Sequence, residues 1–562
     1  MQIQPIFLTV GNLLAGRLFR IPQYQRAYSW GSKQRHDLFD DILKVRASGN
    51  DASHFMATVV GLRRDKMRIA ADEFIELEIV DGQQRLTTLI TLLKATSKNL
   101  SASIRDEEKI REDLNSLLVK GDDLSLLLLQ TNHDSSHIFS NYLRDGTVPD
   151  DSSVLTAADK NLLDAIRECE TFVARWREDG DLISLVALIR NQLSLIFHEI
   201  EDEGLVYTVF EVLNSRGLDV TWFDKLKTFL MAIVFETGEP DVRGATLNEL
   251  HNIWREIYRT IGLRQNLNKE TLRFAGTLRA KNIPSRPLAE EAAADELTEW
   301  TGRTSKGVVR CSHWILDVTK AEDKLLSQWR LRAPTHIVQA RLAAIAILLR
   351  QFPSNVERKI LNEWEKVTFR IYGLMGNDAR TAVGDYVRLA WRITNEDLPP
   401  DQIAAALSRL GQQYPIEEAV AELVNSDCYN SWTEELRYFM FRYEESLAVA
   451  AGQKINESQW NKIWRDEPAK SIEHIRPRSR GSDDPKTSAV YVHRLGNLTM
   501  LPPGVNSKLQ DDDPLDKRET YLSCGLLGTI EVAKMLSSGK WNRSAVETRE
   551  KKLIEWARKE WS

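Results

Sequence analysis

Cysteine is scarce: Cys169, Cys311, Cys428 and Cys524 stand alone in 562 residues, with no CxxC pair. That argues against a disulfide framework and a cysteine-bound zinc, and it fits a reducing compartment. No apolar run approaches the roughly 18 residues that a membrane-spanning helix needs. The amino terminus, MQIQPIFLTVGNLLAG, has no basic flank ahead of its apolar stretch, which argues against a secretory signal. A cytoplasmic protein with no membrane partner is expected. Positive charge is not in excess either. The formal net charge is −6, so nucleic acid must be met by a local patch and not by the field of the whole chain. Residues 236–440 lack a fixed-period repeat and a low-complexity tract too. What remains is the composition of globular domains, in a chain too long for one core.

The stretch from Phe74 to Lys94 organises the rest. Ile75, Leu77 and Ile79 alternate with Glu76 and Glu78, the period of a strand with one buried face. From Leu86 the apolar residues fall at Leu89, Ile90, Leu92 and Leu93, which is helical spacing. The unit reads strand, tight turn, helix, with Asp81, Gly82, Gln83, Gln84 and Arg85 at the turn. A helix start offers unpaired N–H groups to a phosphate, and Arg85 adds a fork of donors. Asp81 would repel a phosphate unless it binds base, sugar or a bridging metal. The plainer alternative makes Asp81 an N-cap and Arg85 its solvated neighbour.

Two more blocks carry donors beside turns. In IPQYQRAYSW, Tyr24, Gln25 and Arg26 sit among aromatic rings that either stack on a base or simply hold a loop down. Phe55 to Leu62 reads as a strand, with Arg63, Arg64 and Lys66 in a turn beyond it, and Leu193 to Ile200 as another. In YTVFEVLNSRGLDVTWFDKLKTFL, Asn214 and Arg216 mark a corner between helices, with Lys225 on the second helix.

Together, and in this order, IPQYQRAYSW, VDGQQRLTTL and FEVLNSRGLDVTWFDKLK resemble the N-terminal domain of GmrSD-type modification-dependent restriction endonucleases. SspE-like phosphorothioate-sensing anti-phage proteins carry related domains. The resemblance covers residues 1–235 and implies a ParB/sulfiredoxin-like fold whose DGQQR segment binds and hydrolyses a nucleoside triphosphate, GTP or another. On that basis Asp81, Gly82, Gln83, Gln84, Arg85, Asn214, Arg216 and Lys225 are nucleotide-site candidates. Tyr24, Gln25 and Arg26 are candidates for sensing the DNA modification. Residues 236–440 show amphipathic helices and no motif.

The C-terminal part, 441–562, carries the second chemistry. Glu473-His474 ends a strand, Gly496-Asn497 follows, and Asn506 lies nine residues after Asn497 with Lys508 close behind. This resembles an HNH, or ββα-metal, nuclease with Asn as the third letter. His474 is the expected general base and Asn497 the residue that holds the loop in register. Glu473 and Asn506 would place one hard cation, Mg²⁺ or Mn²⁺ sooner than zinc. Lys508 or Arg494 would contact the phosphate, and His493 reads as a substrate contact. Arg476, Arg478, Arg480 and Lys486 supply the local positive patch.

The expected fold class is α+β and mostly helical, with a ParB-like domain, a helical middle region and a ββα-metal nuclease domain. The expected function is NTP-regulated cleavage of modified double-stranded DNA in anti-phage defence. A homo-oligomer is compatible with this reading. Three alternatives stay open: a DNA-binding regulator without cleavage, a nuclease acting on RNA or plain DNA, and an SspE-type nicking enzyme.

Overall fold

The alternation of Ile75, Leu77 and Ile79 with Glu76 and Glu78 becomes β4 (Asp72–Asp81) of a six-stranded mixed sheet. Leu77 and Ile79 are fully buried. Glu76 and Glu78 point to the other face and pair with Arg20 at 2.7 Å and Arg64 at 2.8 Å. The other strands are β1 (Pro5–Thr9), β2 (Arg17–Ile21), β3 (His54–Ile69), β5 (Leu129–Thr131) and β6 (Leu193–Ile200). Their order is β1-β6-β3-β4-β2-β5. Pairs β1–β6 and β3–β4 are antiparallel, and β6–β3, β4–β2 and β2–β5 are parallel. The structure is a computed structural model, which describes residues 5–22, 25–48, 54–69, 72–120, 128–131, 136–201, 221–238, 240–264, 266–332, 337–424, 426–481, 489–536 and 540–562. Most described residues outside the sheet are helical.

Arg63, Arg64 and Lys66 do not form a turn. β3 runs on through them to Ile69 because each cation finds a carboxylate across the sheet: Arg63 with Glu199 at 3.0 Å, Arg64 with Glu78, and Lys66 with Glu73. Leu193 to Ile200 is the strand the pattern predicts.

The helix after the turn starts at Gln83 and runs to Asn99. Apart from Arg85, every residue from Gln83 to Ser97 is buried, so this helix forms the centre of its unit and not an amphipathic surface. Its hydroxyls are satisfied within the helix: Thr88, Thr91 and Thr96 each donate to the carbonyl four residues back at 2.8 Å. Asp81 is not the N-cap. Gly82 holds that place in the left-handed region, at φ 91°, with no side-chain cap bond. A Cβ there would stand 2.8 Å from Cγ2 of Val59. Gly82→Ala is therefore expected to cost about 1–2 kcal/mol for the backbone alone, with the clash adding to it. A thermal-unfolding midpoint equal to wild type would contradict that.

The chain divides into two units, Met1–Arg273 with Glu290–Thr319, and Phe274–Ala289 with Lys320–Ser562. The first holds the six-stranded sheet. The second is helical around buried Trp364 and Trp561, with Arg442 buried against Glu365 at 3.4 Å and Glu445 at 3.3 Å. Its β7 (Ile472–His474) and β8 (Leu498–Met500) form an antiparallel pair, and the helix Pro503–Leu509 follows. Asn497 lies in the 3₁₀ turn Leu495–Asn497 just ahead of β8, not in the strand itself. That turn packs so tightly on the helix Arg543–Glu560 that a Cβ on Gly496 would stand 2.1 Å from the Val546 carbonyl oxygen. From the same helix, buried Arg549 donates to the carbonyls of Leu495, Gly496 and Leu498 at 3.3, 3.0 and 2.7 Å.

Candidate functional site

In the second unit, the short strand β7 sets Glu473 and His474 on opposite faces, so they face different partners. His474 Nε2 lies 3.0 Å from Nδ1 of His493. The Tyr429 ring meets His474 edge-on at 4.5 Å and stacks on His493 at 5.2 Å, and the Arg478 guanidinium lies over the same Tyr429 ring at 5.3 Å. Burial, His493, Arg478 and Lys517 together push the His474 pKa down to about 3, so the ring is neutral. Burial also lowers His493, while Asp427 opposes the shift.

Asn497 joins the two histidine segments. Its Oδ1 accepts from the Arg476 N–H and from Trp541 Nε1, both at 2.9 Å. Its Nδ2 donates to the carbonyls of Arg476 at 3.1 Å and Val492 at 2.8 Å. Residue 476 lies just past His474 and residue 492 just before His493, so one amide fixes both.

Glu473 is buried, and its Oε1 accepts from Lys517 Nζ and Tyr521 Oη, each at 2.7 Å. Burial raises its pKa against the pull of Lys517. Lys517 also donates to the His474 carbonyl at 3.0 Å. Asn506 Nδ2 donates to the carbonyls of Lys470 at 2.9 Å and Ile472 at 3.2 Å, which holds the helix Pro503–Leu509 against β7. Lys508 is exposed on that helix. Arg494 is not available to a phosphate: it is buried, with Nε donating to Glu550 at 3.0 Å. Lys486 lies outside the described residues, as does the side chain of Arg480.

In the first unit, the glutamines of the turn act as a clamp. Gln25 Nε2 donates to the Val80 carbonyl at 2.6 Å, and Gln83 Nε2 donates to Gln25 Oε1 at 3.0 Å. Gln84 accepts from the Ser29 N–H at 2.8 Å and donates to the Ala27 carbonyl at 3.2 Å. These bonds hold the loop 25–30 against the helix start. Arg85 lies over the Trp30 ring at 5.6 Å. Burial raises the Asp81 pKa, with the Gly82 N–H, Arg85 and Arg26 pulling it back.

That loop forms one wall of a cavity of about 420 Å³. Among the described residues, Arg26, Lys227, Arg255 and Lys269 line it, against a single carboxylate, Asp224. Asp224 is itself committed, accepting from Thr221 Oγ1 at 2.8 Å and Tyr258 Oη at 2.5 Å. Lys227 is 4% exposed, and burial pushes its pKa down to about 8. His251, beside Lys227 and Arg255, is pushed down to about 4, mainly by burial. Lys225 points elsewhere, with Nζ over the Trp222 ring at 4.4 Å. Tyr24, Asn214 and Arg216 lie outside the described residues.

Sequence reasoning missed several of these groups although their spacing was visible. His251, Arg255 and Tyr258 repeat at i, i+4 and i+7 on the helix Pro240–Ile261, and Asp224 and Lys227 at i and i+3 on Trp222–Thr237. Lys517 and Tyr521 are likewise four residues apart. None of these spacings says which face meets a site.

Two family models match the chain. Residues 10–231 match the model described as the GmrSD restriction endonuclease N-terminal domain. Residues 415–556 match that of the GmrSD restriction endonucleases' C-terminal domain. No curated protein matches the chain at a significant level. With both characteristic domains present in order over most of its length, the chain belongs to the GmrSD restriction endonucleases.

Proposed function

We propose that this restriction endonuclease cleaves modified foreign DNA under the control of a nucleoside triphosphate. In this reading His474 is the general base of an HNH-type site, and the sheet-containing unit is a ParB/sulfiredoxin-like nucleotide domain. The observation that supports the nuclease half is a neutral, clamped His474 on a ββα element. A neutral imidazole can take a proton from a water as its oxygen attacks phosphorus. Arg478, exposed beside the histidine pair, is the nearest candidate for holding the DNA backbone.

The oxygens near β7 suit a hard cation. Glu473 Oε2 and Asn506 Oδ1 have no hydrogen-bond partner among the described residues. Both would serve Mg²⁺ or Mn²⁺, which when bound supplies charge stabilisation to the phosphate and leaving oxygen. No group of three His, Cys, Asp or Glu side chains able to hold a metal occurs among the described residues.

The nucleotide half rests on the cavity beside Arg26. Its excess of cations favours a polyanion, and buried Lys227 has no carboxylate bonded to it among the described residues. In this reading the phosphates meet Arg26, Lys227 and Arg255, while the glutamines of the DGQQR turn keep the loop carrying Arg26 in place. The deciding assay is cleavage of phage DNA with hydroxymethylated cytosines against plain plasmid, with Mg²⁺ and each NTP in turn. Equal cleavage of both DNAs, or indifference to every NTP, would remove the corresponding half of the proposal.

Lys227 also gives the nucleotide site a pH dependence. Binding an anion favours the charged ammonium, so binding takes up a proton wherever free Lys227 is neutral, above about pH 8. Affinity should therefore fall as pH rises, by about tenfold between pH 7 and 9. Lys227→Met should bind more weakly at pH 7 and lose that extra slope. Isothermal titration of both proteins with GTP and ATP checks it, and a parallel decline in the variant would refute the assignment.

A further inference from the structure

We propose that His493 is a positioning residue that sets which nitrogen of His474 receives the proton, an inference that rests on His474 being the general base. The two rings share one hydrogen-bond axis, His474 Nε2 to His493 Nδ1 at 3.0 Å. Two ring nitrogens 3.0 Å apart need one hydrogen between them, supplied by one ring and accepted by the other. If His474 Nε2–H donates, His474 Nδ1 keeps its lone pair and can act as a base. If His493 Nδ1–H donates instead, His474 carries its hydrogen on Nδ1 and has no basic nitrogen left. The state of His493 therefore decides whether His474 works.

The surroundings hold the rings to this pairing. The His493 carbonyl accepts from the Cys428 N–H at 3.0 Å, which ties the loop bearing Asp427 and Tyr429 to His493. Tyr429 stacks on His493 at an interplanar angle of 15° and blocks ring rotation on that side. Asn497 fixes the backbone on the far side of each histidine, and Lys517 holds the His474 carbonyl. The Asp427 carboxylate on that loop is held by the Tyr429 and Asn430 N–H groups at 3.1 and 2.9 Å, and its charge acts on His493. An outer Nε2–H on His493 leaves Nδ1 free to accept from His474. In the reaction the water O–H bond breaks and its proton goes to His474 Nδ1; the oxygen bonds to phosphorus while the scissile P–O bond breaks, and the leaving sugar oxygen takes its electron pair and a proton from solvent. The Nε2–H of the new imidazolium stays bonded to His493, which stabilises the charge.

The test uses the full chain in single-turnover cleavage of phage DNA with hydroxymethylated cytosines. His493→Gly is expected to lower the rate at saturating protein by about 10²-fold with the half-saturating concentration unchanged. Added imidazole should restore at least tenfold of that rate. His493→Gln, whose amide oxygen can accept the same hydrogen, should stay within about tenfold of wild type, and it decides the matter if the glycine variant does not fold. A wild-type rate in His493→Gly overturns the proposal. So does a changed half-saturation at an unchanged rate, which would make His493 a DNA contact, or a loss that neither imidazole nor glutamine repairs. His474→Gly is run alongside. If it cleaves normally, the general-base reading fails, whereas its loss beside a normal His493→Gly sinks only the positioning role.

Discussion

His474→Ala should cleave DNA about 10²–10⁴-fold more slowly than wild type while binding nucleotide and DNA as before. The size follows from the job assigned to the ring. A positioned base removes the cost of forcing a proton from water into bulk solvent, and alanine leaves nothing at that place. The selectivity follows from its charge: with a pKa near 3, His474 is neutral at working pH, so its removal takes away no phosphate-binding cation. Stability should change little. The bond to His493 is worth about 1 kcal/mol, and His493 is half-buried, so water replaces the lost partner. Single-turnover cleavage, filter binding and thermal unfolding on one preparation separate these quantities. A rate within threefold of wild type would end the general-base assignment, while a parallel loss of DNA affinity would recast His474 as a contact.

Legibility in the sequence tracked how local the cause was. β4 and the following helix were readable because period-2 and period-3.6 burial are written in neighbouring residues, and β6 for the same reason. β3 was cut short at Leu62 because the reason it continues lies elsewhere: Glu199 and Glu73 sit on adjacent strands and neutralise Arg63 and Lys66 only once the sheet has formed. The glutamines of the turn became nucleotide candidates through the family resemblance, and an amide that bonds a loop looks the same in sequence as one that bonds a phosphate. What separates them is the position of Ala27, Ser29 and Val80, some 55 residues from their partners. The cavity shows the same limit. Half its cations come from the stretch without a motif, where a helix face with His251 and Arg255 reads as an ordinary solvated stripe. In the second unit Glu473, His474, Asn497 and Asn506 were picked out by spacing, and all four lie on β7, at the turn before β8 or on the helix after it, because these elements follow one another closely in the chain. The His474–His493 bond was not, since it depends on how tightly one asparagine draws two loops together.

That asparagine carries the other large expected effect. Asn497 is 1% exposed and makes four side-chain hydrogen bonds, of 2.9, 2.9, 3.1 and 2.8 Å. In Asn497→Ala the Arg476 N–H and the Trp541 indole N–H lose their acceptor, and the carbonyls of Arg476 and Val492 lose a donor. Each buried group left unpaired costs about 1–3 kcal/mol. Arg476 is half-buried and recovers part of this from water, which leaves a net loss of about 3–5 kcal/mol. For a unit of this size that lowers the melting temperature by about 10 °C. Cleavage at a temperature where the variant is folded should fall as far as in His474→Ala, because the segments after His474 and before His493 are no longer held together and the rings separate. Asn497→Asp distinguishes bracing from simple volume. It keeps both acceptor bonds and the shape, but it turns a carboxylate toward two carbonyl oxygens, so it should lose stability and cleavage too. Calorimetry and single-turnover rates on both variants provide the check. Unchanged melting with cleavage abolished would mean that Asn497 reaches the DNA itself, and unchanged cleavage in a destabilised protein would mean that the histidine pair does not depend on this brace.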